Sequence, residues 1–183
     1  LYDNDFETHT VGLNVVDEQY EGWNWYSPGA VPHNGMFADD GGNTVLDLVG
    51  GQTHLNIHGY AAPDNPFLTD IHLNYEFDIK ISNYDRWDIY FIDNVTSSVM
   101  APAFNKVTST QGSVSYKTTD FLNGPSTEFD VLVPGLVPGV WAHVSMQLNQ
   151  LEEHWSMNVA GTQVTTNAKL RNEFGFVFND AVD

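Results

Sequence analysis

DIHLNYEFDIKISNYDRWDIYFIDN, residues 70–94, alternates apolar and polar side chains over most of its length. Ile71, Leu73, Tyr75, Phe77, Ile79 and Ile81 fall on one side, and His72, Asn74, Glu76, Asp78 and Lys80 on the other. A period of two over this length predicts a half-buried β-strand, because successive side chains of an extended chain point to opposite faces. Ser82-Asn83-Tyr84-Asp85 predicts a turn, since Asn and Asp bond their own backbone locally. A second strand follows, with Trp87, Ile89 and Phe91 opposite Arg86, Asp88 and Tyr90. The expectation is a central antiparallel hairpin with one apolar face and one polar face.

The same reading extends outward. Toward the start, residues 53–60 predict a strand with Leu55 and Ile57 opposite His54, Asn56 and His58, and residues 44–49 another. Residues 35–42, GMFADDGG, read as a loop, and residues 17–29 hold the densest aromatic cluster: Tyr20, Trp23, Trp25 and Tyr26. At the acidic beginning, Asp3, Asp5 and Glu7 would share one side of a short strand. Toward the end, residues 95–110 read as a loop and residues 112–118 as a strand. Phe129, Val131 and Val133 form a strand that stops at Pro134-Gly135. After Pro138-Gly139, Ala142, Val144, Met146 and Leu148 alternate with Trp141, His143, Ser145 and Gln147. Trp155, Met157 and Val159 alternate next, Ala160-Gly161 turns the chain, and Phe174, Phe176 and Phe178 predict a last strand. About ten short strands punctuated by Gly, Pro and Asn, without an amphipathic helix of ordinary length, predict an all-β chain. The expected architecture is a single domain over 1–183, a two-sheet antiparallel β-sandwich of jelly-roll type.

Composition narrows the partners. The 183 residues hold 24 acids against 6 bases, a formal net charge of -18, so nucleic acid and anionic membrane would be repelled. Neutral glycans and calcium are compatible with that balance, as is plain solubility. With 42% hydrophobic residues the chain can build a core. The absence of cysteine removes disulfides, thiol catalysis and thiolate metal sites. No apolar run approaches the ~20 residues of a membrane span, so no membrane insertion is expected.

Three features together resemble the concanavalin A-like lectin/glucanase superfamily, in its laminin-G-like and jelly-roll carbohydrate-binding branches. They are Asp5-Phe6-Glu7 ahead of Gly12 with a Trp-containing segment after it; YEFDIKI followed by WDIYFID; and VWAHVSMQLNQLEEHWSMNVAGTQV, a Trp-initiated strand, a polar turn and a strand ending in a small-residue-Gly turn. Asn149 and Glu152-Glu153 replace the Asp usual in that turn. The resemblance implies a secreted or cell-surface domain that binds a glycan or polysaccharide and carries structural calcium. The glucanase branch uses a motif resembling Glu-x-Asp-x-x-Glu. Here Glu76-Phe77-Asp78 lacks the second Glu, and Lys80 stands two residues after the Asp. A retaining glycosidase needs two carboxyl groups ~5–5.5 Å apart, so the resemblance implies a non-catalytic module.

Candidate sites follow. Trp23, Trp25 and Tyr26 could form a platform on which sugar C–H faces stack, or could plug the core as large aromatics usually do. Trp87, Trp141 and Trp155 read as core or partly buried. His54, Asn56, His58, His72, Asn74, Glu76, Asp78, Arg86, Asp88 and Tyr90 would form one polar patch if their strands pair, although such faces are often merely solvated. Zinc on His54 and His58 fails, because four residues of strand separate them by about 13 Å and zinc needs both nitrogens within ~2.1 Å. Calcium suits the oxygen-rich donors better. Its expected ligands are Asp3, Asp5 and Glu7 near the start and Asp180 near the end, with Asp39 and Asp40 as further acids. Two alternatives stand beside the glycan-binding module. One is a structural or adhesive domain without a small ligand. The other is a jelly-roll polysaccharide lyase using His72 or Tyr90 as base, with Arg86 and Asn74 neutralising a uronate.

Overall fold

Alternation at period two is realised as strand in the computed structural model, which describes residues 6–13, 23–26, 35–48, 54–57, 72–81, 86–88, 91–93, 98–100, 102–119, 126–149, 152, 154–169 and 171–172. All regular structure among these residues is β, in several antiparallel sheets and with no helix. The chain divides into two compact units, residues 1–61 with 182–183, and residues 62–181.

In the first unit, β1 (Trp23–Tyr26) pairs with β4 (His54–Ile57), and β2 (Gly35–Asp40) pairs with β3 (Asn43–Leu48). The loop expected over residues 35–42 is therefore a strand and a tight hairpin turn. Gly41 and Gly42 both take positive φ, 70° and 99°, the two-residue connection whose twist matches that of the strands it joins. Asp39 Oδ1 accepts the Gly42 N–H at 2.7 Å. Residues 6–13 are turns: the His9 N–H donates to Phe6 O at 3.0 Å, and the Leu13 N–H to Thr10 O at 3.2 Å; Asp3 and Asp5 of the short strand expected at the acidic beginning lie outside the described residues. Gly12 N–H to Phe37 O and Phe37 N–H to Leu13 O tie this segment to β2. The buried His9 ring stacks on Phe37, centroids 4.1 Å apart.

The second unit holds two four-stranded sheets. One runs β14 (Thr162–Lys169), β13 (His154–Val159), β12 (Ala142–Asn149), β5 (His72–Ile79). The other runs β11 (Ser126–Val133), β10 (Gln111–Thr119), β9 (Ala103–Thr108), β6 (Arg86–Asp88). A three-stranded sheet orders β15 (Arg171–Asn172), β8 (Ser98–Met100), β7 (Phe91–Asp93). Phe104, Val114 and Val133 of the β6-containing sheet share one buried cluster with Val144, Met146, Trp155, Met157 and Val159 of the β5-containing sheet. Tyr75, Phe77 and Ile79 pack against that cluster from β5.

The expected central hairpin does not form. β5 pairs with β12, setting Phe77 opposite Val144 and Tyr75 opposite Met146, while β6 pairs with β9 in the other sheet. The first predicted strand exists as β5; of the second, residues 86–88 form β6 and Phe91 begins β7 in a different sheet; residues 82–85, the expected turn, and 89–90 lie outside the described residues. The loop expected over 95–110 also contains strands, β8 and β9, and Phe104 of β9 is fully buried. The expected final strand at Phe174–Phe178 lies outside the described residues.

Ala160-Gly161 closes the β13–β14 hairpin as expected, both residues at positive φ (47° and 77°). The crossing from β11 to β12 is anchored twice. Leu136 is buried in the core, and the Gly139 N–H donates to Ile81 O at 2.7 Å, just beyond the end of β5. That bond fixes where β12 begins beside β5, and so which side chains meet on their outer face.

Candidate functional site: the outer face of β5, β12 and β13

The alternation of β12 is strict. Ala142, Val144, Met146 and Leu148 are buried, while His143 and Gln147 are exposed and Ser145 and Asn149 half-buried. β13 repeats it, with Trp155, Met157 and Val159 inward and His154, Ser156 and Asn158 outward. β5 supplies the third column, with Asn74, Glu76 and Asp78 exposed. Residues directly opposite in an antiparallel ladder share a face, so the register assembles rows. Asp78 stands beside His143. Glu76, Ser145 and Asn158 make the next row, and Asn74, Gln147 and Ser156 the one after. His72, Asn149 and His154 occupy the last.

Some of these groups are already engaged. His143 Nδ1 and Asp78 Oδ1 are 2.9 Å apart. A carboxylate can only accept, so in the neutral ring Nδ1 carries the hydrogen and Nε2 is an acceptor. Asn149 Oδ1 accepts the Glu152 N–H at 3.2 Å, which makes it a turn residue. Gln163 Nε2 donates to Met157 O at 2.9 Å and Thr165 O at 2.7 Å, filling the irregularity between β13 and β14. By contrast, among the described residues no hydrogen bond takes up the side chains of Asn74, Glu76, Ser145, Gln147, Ser156 or Asn158. Six uncommitted amide, hydroxyl and carboxylate groups on three adjacent strands can donate to and accept from a hydroxyl-rich ligand.

An aromatic ring stands at the head of these rows. Trp141 precedes Ala142 and is 43% exposed, and Lys80 Nζ lies 5.0 Å from the centroid of its ring. Trp141, expected to be core or partly buried at the opening of this strand, is exposed, in keeping with its parity, which is that of His143 and opposite to that of Val144 and Met146. Trp155, of core parity, is buried as expected.

Four of the ten residues expected to share one patch lie on one strand. Asn74, Glu76 and Asp78 lie together on β5, with His72 at its first position. Arg86 and Asp88 belong to β6 in the other four-stranded sheet, and His54 and Asn56 to β4 in the first unit. His58 and Tyr90 lie outside the described residues. Adjacency along the chain does not set adjacency in a sheet: β5 pairs with β12, and β6 with β9. Of the lyase set, His72 and Asn74 belong to β5 and Arg86 to β6, and Tyr90 lies outside the described residues. For the aromatic cluster, β1 confirms an extended backbone. Its register sets Trp23 and Trp25 opposite Ile57 and Leu55, and Asn24 and Tyr26 opposite Asn56 and His54. Of the expected metal ligands, Asp3, Asp5 and Asp180 lie outside the described residues. Glu7 Oε1 accepts the Thr44 N–H at 3.0 Å. Among the described residues no group of three or more His, Cys, Asp or Glu could hold a metal ion.

Compared with protein-family models, curated proteins and solved structures, the chain finds no match.

Proposed function

We propose that this chain is a non-catalytic, extracellular glycan-binding module whose ligand lies on the outer face of β5, β12 and β13. The observation that carries this reading is the pair of rows at Glu76, Ser145 and Asn158 and at Asn74, Gln147 and Ser156, whose side chains take up no hydrogen bond among the described residues, headed by the exposed Trp141. Sugars offer hydroxyls, which hydrogen-bond to amides and carboxylates, and C–H faces, which pack on flat aromatics. Sites for small ligands set a few placed polar groups beside an apolar surface. The scaffold belongs to the same proposal: a two-sheet antiparallel β-sandwich of jelly-roll type, similar to the concanavalin A-like superfamily. The core cluster shared by the two four-stranded sheets supports it.

A structural calcium on Asp3, Asp5, Glu7 and Asp180 is a separate part of the proposal. The described residues do not form such a site, so no ligand contact is routed through the ion. A glycan-array screen with calcium and again with EDTA, the melting temperature followed in both, tests the two parts independently. Binding to a neutral glycan that survives chelation is the expected result. A fall in melting temperature with EDTA would locate a stabilising ion away from the face. No binding to any glycan would leave the structural or adhesive reading, and shortening of a uronate polymer in the same wells would bring the lyase reading forward.

A further inference from the structure

From the same face, and resting on the reading above, we infer the class of glycan and the group that controls its entry: an extended, uncharged oligosaccharide chain, stacked at one end on Trp141, from whose ring it must displace Lys80. The face is long and narrow. Eight steps of strand at ~3.3 Å each put Trp141 and Asn149 about 26 Å apart, which is the span of an oligosaccharide and not of a single sugar. The polar groups repeat along that line, row by row from Asp78 and His143 to Asn74, Gln147 and Ser156, and do not converge on one point. A chain of like units, each offering the same hydroxyls, matches such a repeat.

Charge selects among polymers. Glu76 and Asp78 both project from the face, and the whole chain carries -18. A uronate or sulfated polymer would meet repulsion at close range and at long range. A cation stands at each end of the rows: Lys169 opposite His154 at one, and at the other Lys80, held over Trp141 at 5.0 Å. Its position follows from the fold: Ala142 pairs with Ile79, so the residues one step outward, Trp141 and Lys80, meet on the solvent side. An ammonium over an indole face is attracted by the ring's quadrupole. It also occupies the surface on which a pyranose would stack, so Lys80 competes with the ligand for Trp141.

The test is calorimetric titration of the full chain with a size series of neutral gluco-, xylo- and mannooligosaccharides, from monosaccharide to hexasaccharide. Wild type is compared with Lys80→Ala, Trp141→Ala and Trp141→Phe. Affinity should rise with chain length in at least one series. Lys80→Ala should tighten binding by about two- to fivefold, the strength of an exposed cation–π contact. Trp141→Ala should abolish length-dependent binding and Trp141→Phe should retain part of it, with melting temperatures near wild type because Trp141 is exposed. A monosaccharide that binds as well as the hexasaccharide, an affinity insensitive to Trp141→Ala, or weaker binding by Lys80→Ala would overturn the inference while leaving glycan binding in place. A wild-type chain that takes up no neutral oligosaccharide would overturn both the inference and the reading on which it rests. Preference for a uronate polymer would overturn the charge argument.

Discussion

Gly112 begins the buried part of β10 where the backbone of the crossing loop presses against it. A Cβ there would lie 2.8 Å from Leu136 Cγ, 2.8 Å from Leu136 O and 2.9 Å from Asn105 O. Two of those atoms are backbone and cannot swing aside. Gly112→Ala is therefore expected to cost about 1–3 kcal/mol, as overpacking does, measured as a lower urea midpoint at unchanged slope. An unchanged midpoint would show that the loop carrying Leu136 is free to move. Gly135 is similarly enclosed, its added Cβ falling 2.7 Å from Ala160 Cβ. Neither role was legible in the sequence, where a glycine at a strand end reads only as punctuation. The close approach is made by residues distant in the chain. The Ala160-Gly161 turn was legible, because a two-residue break between alternating runs has few solutions.

At the scale of the element, β12 separates buried from outward side chains by parity. Met146 is buried between β5 and β13, whereas its neighbour Gln147 is exposed. Met146→Ala should cost about 2–5 kcal/mol, while Gln147→Ala should stay within about 0.5 kcal/mol and weaken glycan binding. Comparable losses of stability from both variants would refute the assignment of faces. The alternation of β12 and β13 was readable directly, since period two is a local property of the chain. Pairing was not. The Asn-Asp turn signal after Ile81 says that the chain changes direction, and a chain crossing to a second sheet needs a change of direction as much as a hairpin does. Which strand β5 joins was decided by where the ladder placed Phe77 against Val144 and Tyr75 against Met146, with Asp78 beside His143.

For the whole molecule the dominant electrostatic fact is the excess of 24 acids over 6 bases. Like charges repel in the folded chain more than in the expanded one, and salt shortens the range of that repulsion to about 8 Å at physiological strength. The melting temperature should therefore rise as sodium chloride is raised from a few millimolar. A gain of about 1 kcal/mol would read as roughly 2–4 °C. A fall with salt would mean that attractive pairs, such as Lys117 with Glu128 at 3.9 Å, outweigh the repulsion.

The sequence by itself determined the all-β character of the described residues and, along β5, β12 and β13, which side chains face out. It also determined the acidity that disfavours polyanionic partners. These follow from backbone geometry and from counting, and neither needs a neighbour. Only the tertiary structure decided that β5 lies beside β12 and not β6. That choice gathers Asn74, Glu76 and Asp78 with His143, Ser145 and Gln147, leaves Arg86 and His54 on other sheets, and brings Lys80 onto Trp141. The physical reason is that a strand's faces are set by the chain itself, whereas its partners are set by which edge lets its apolar side complete the common core.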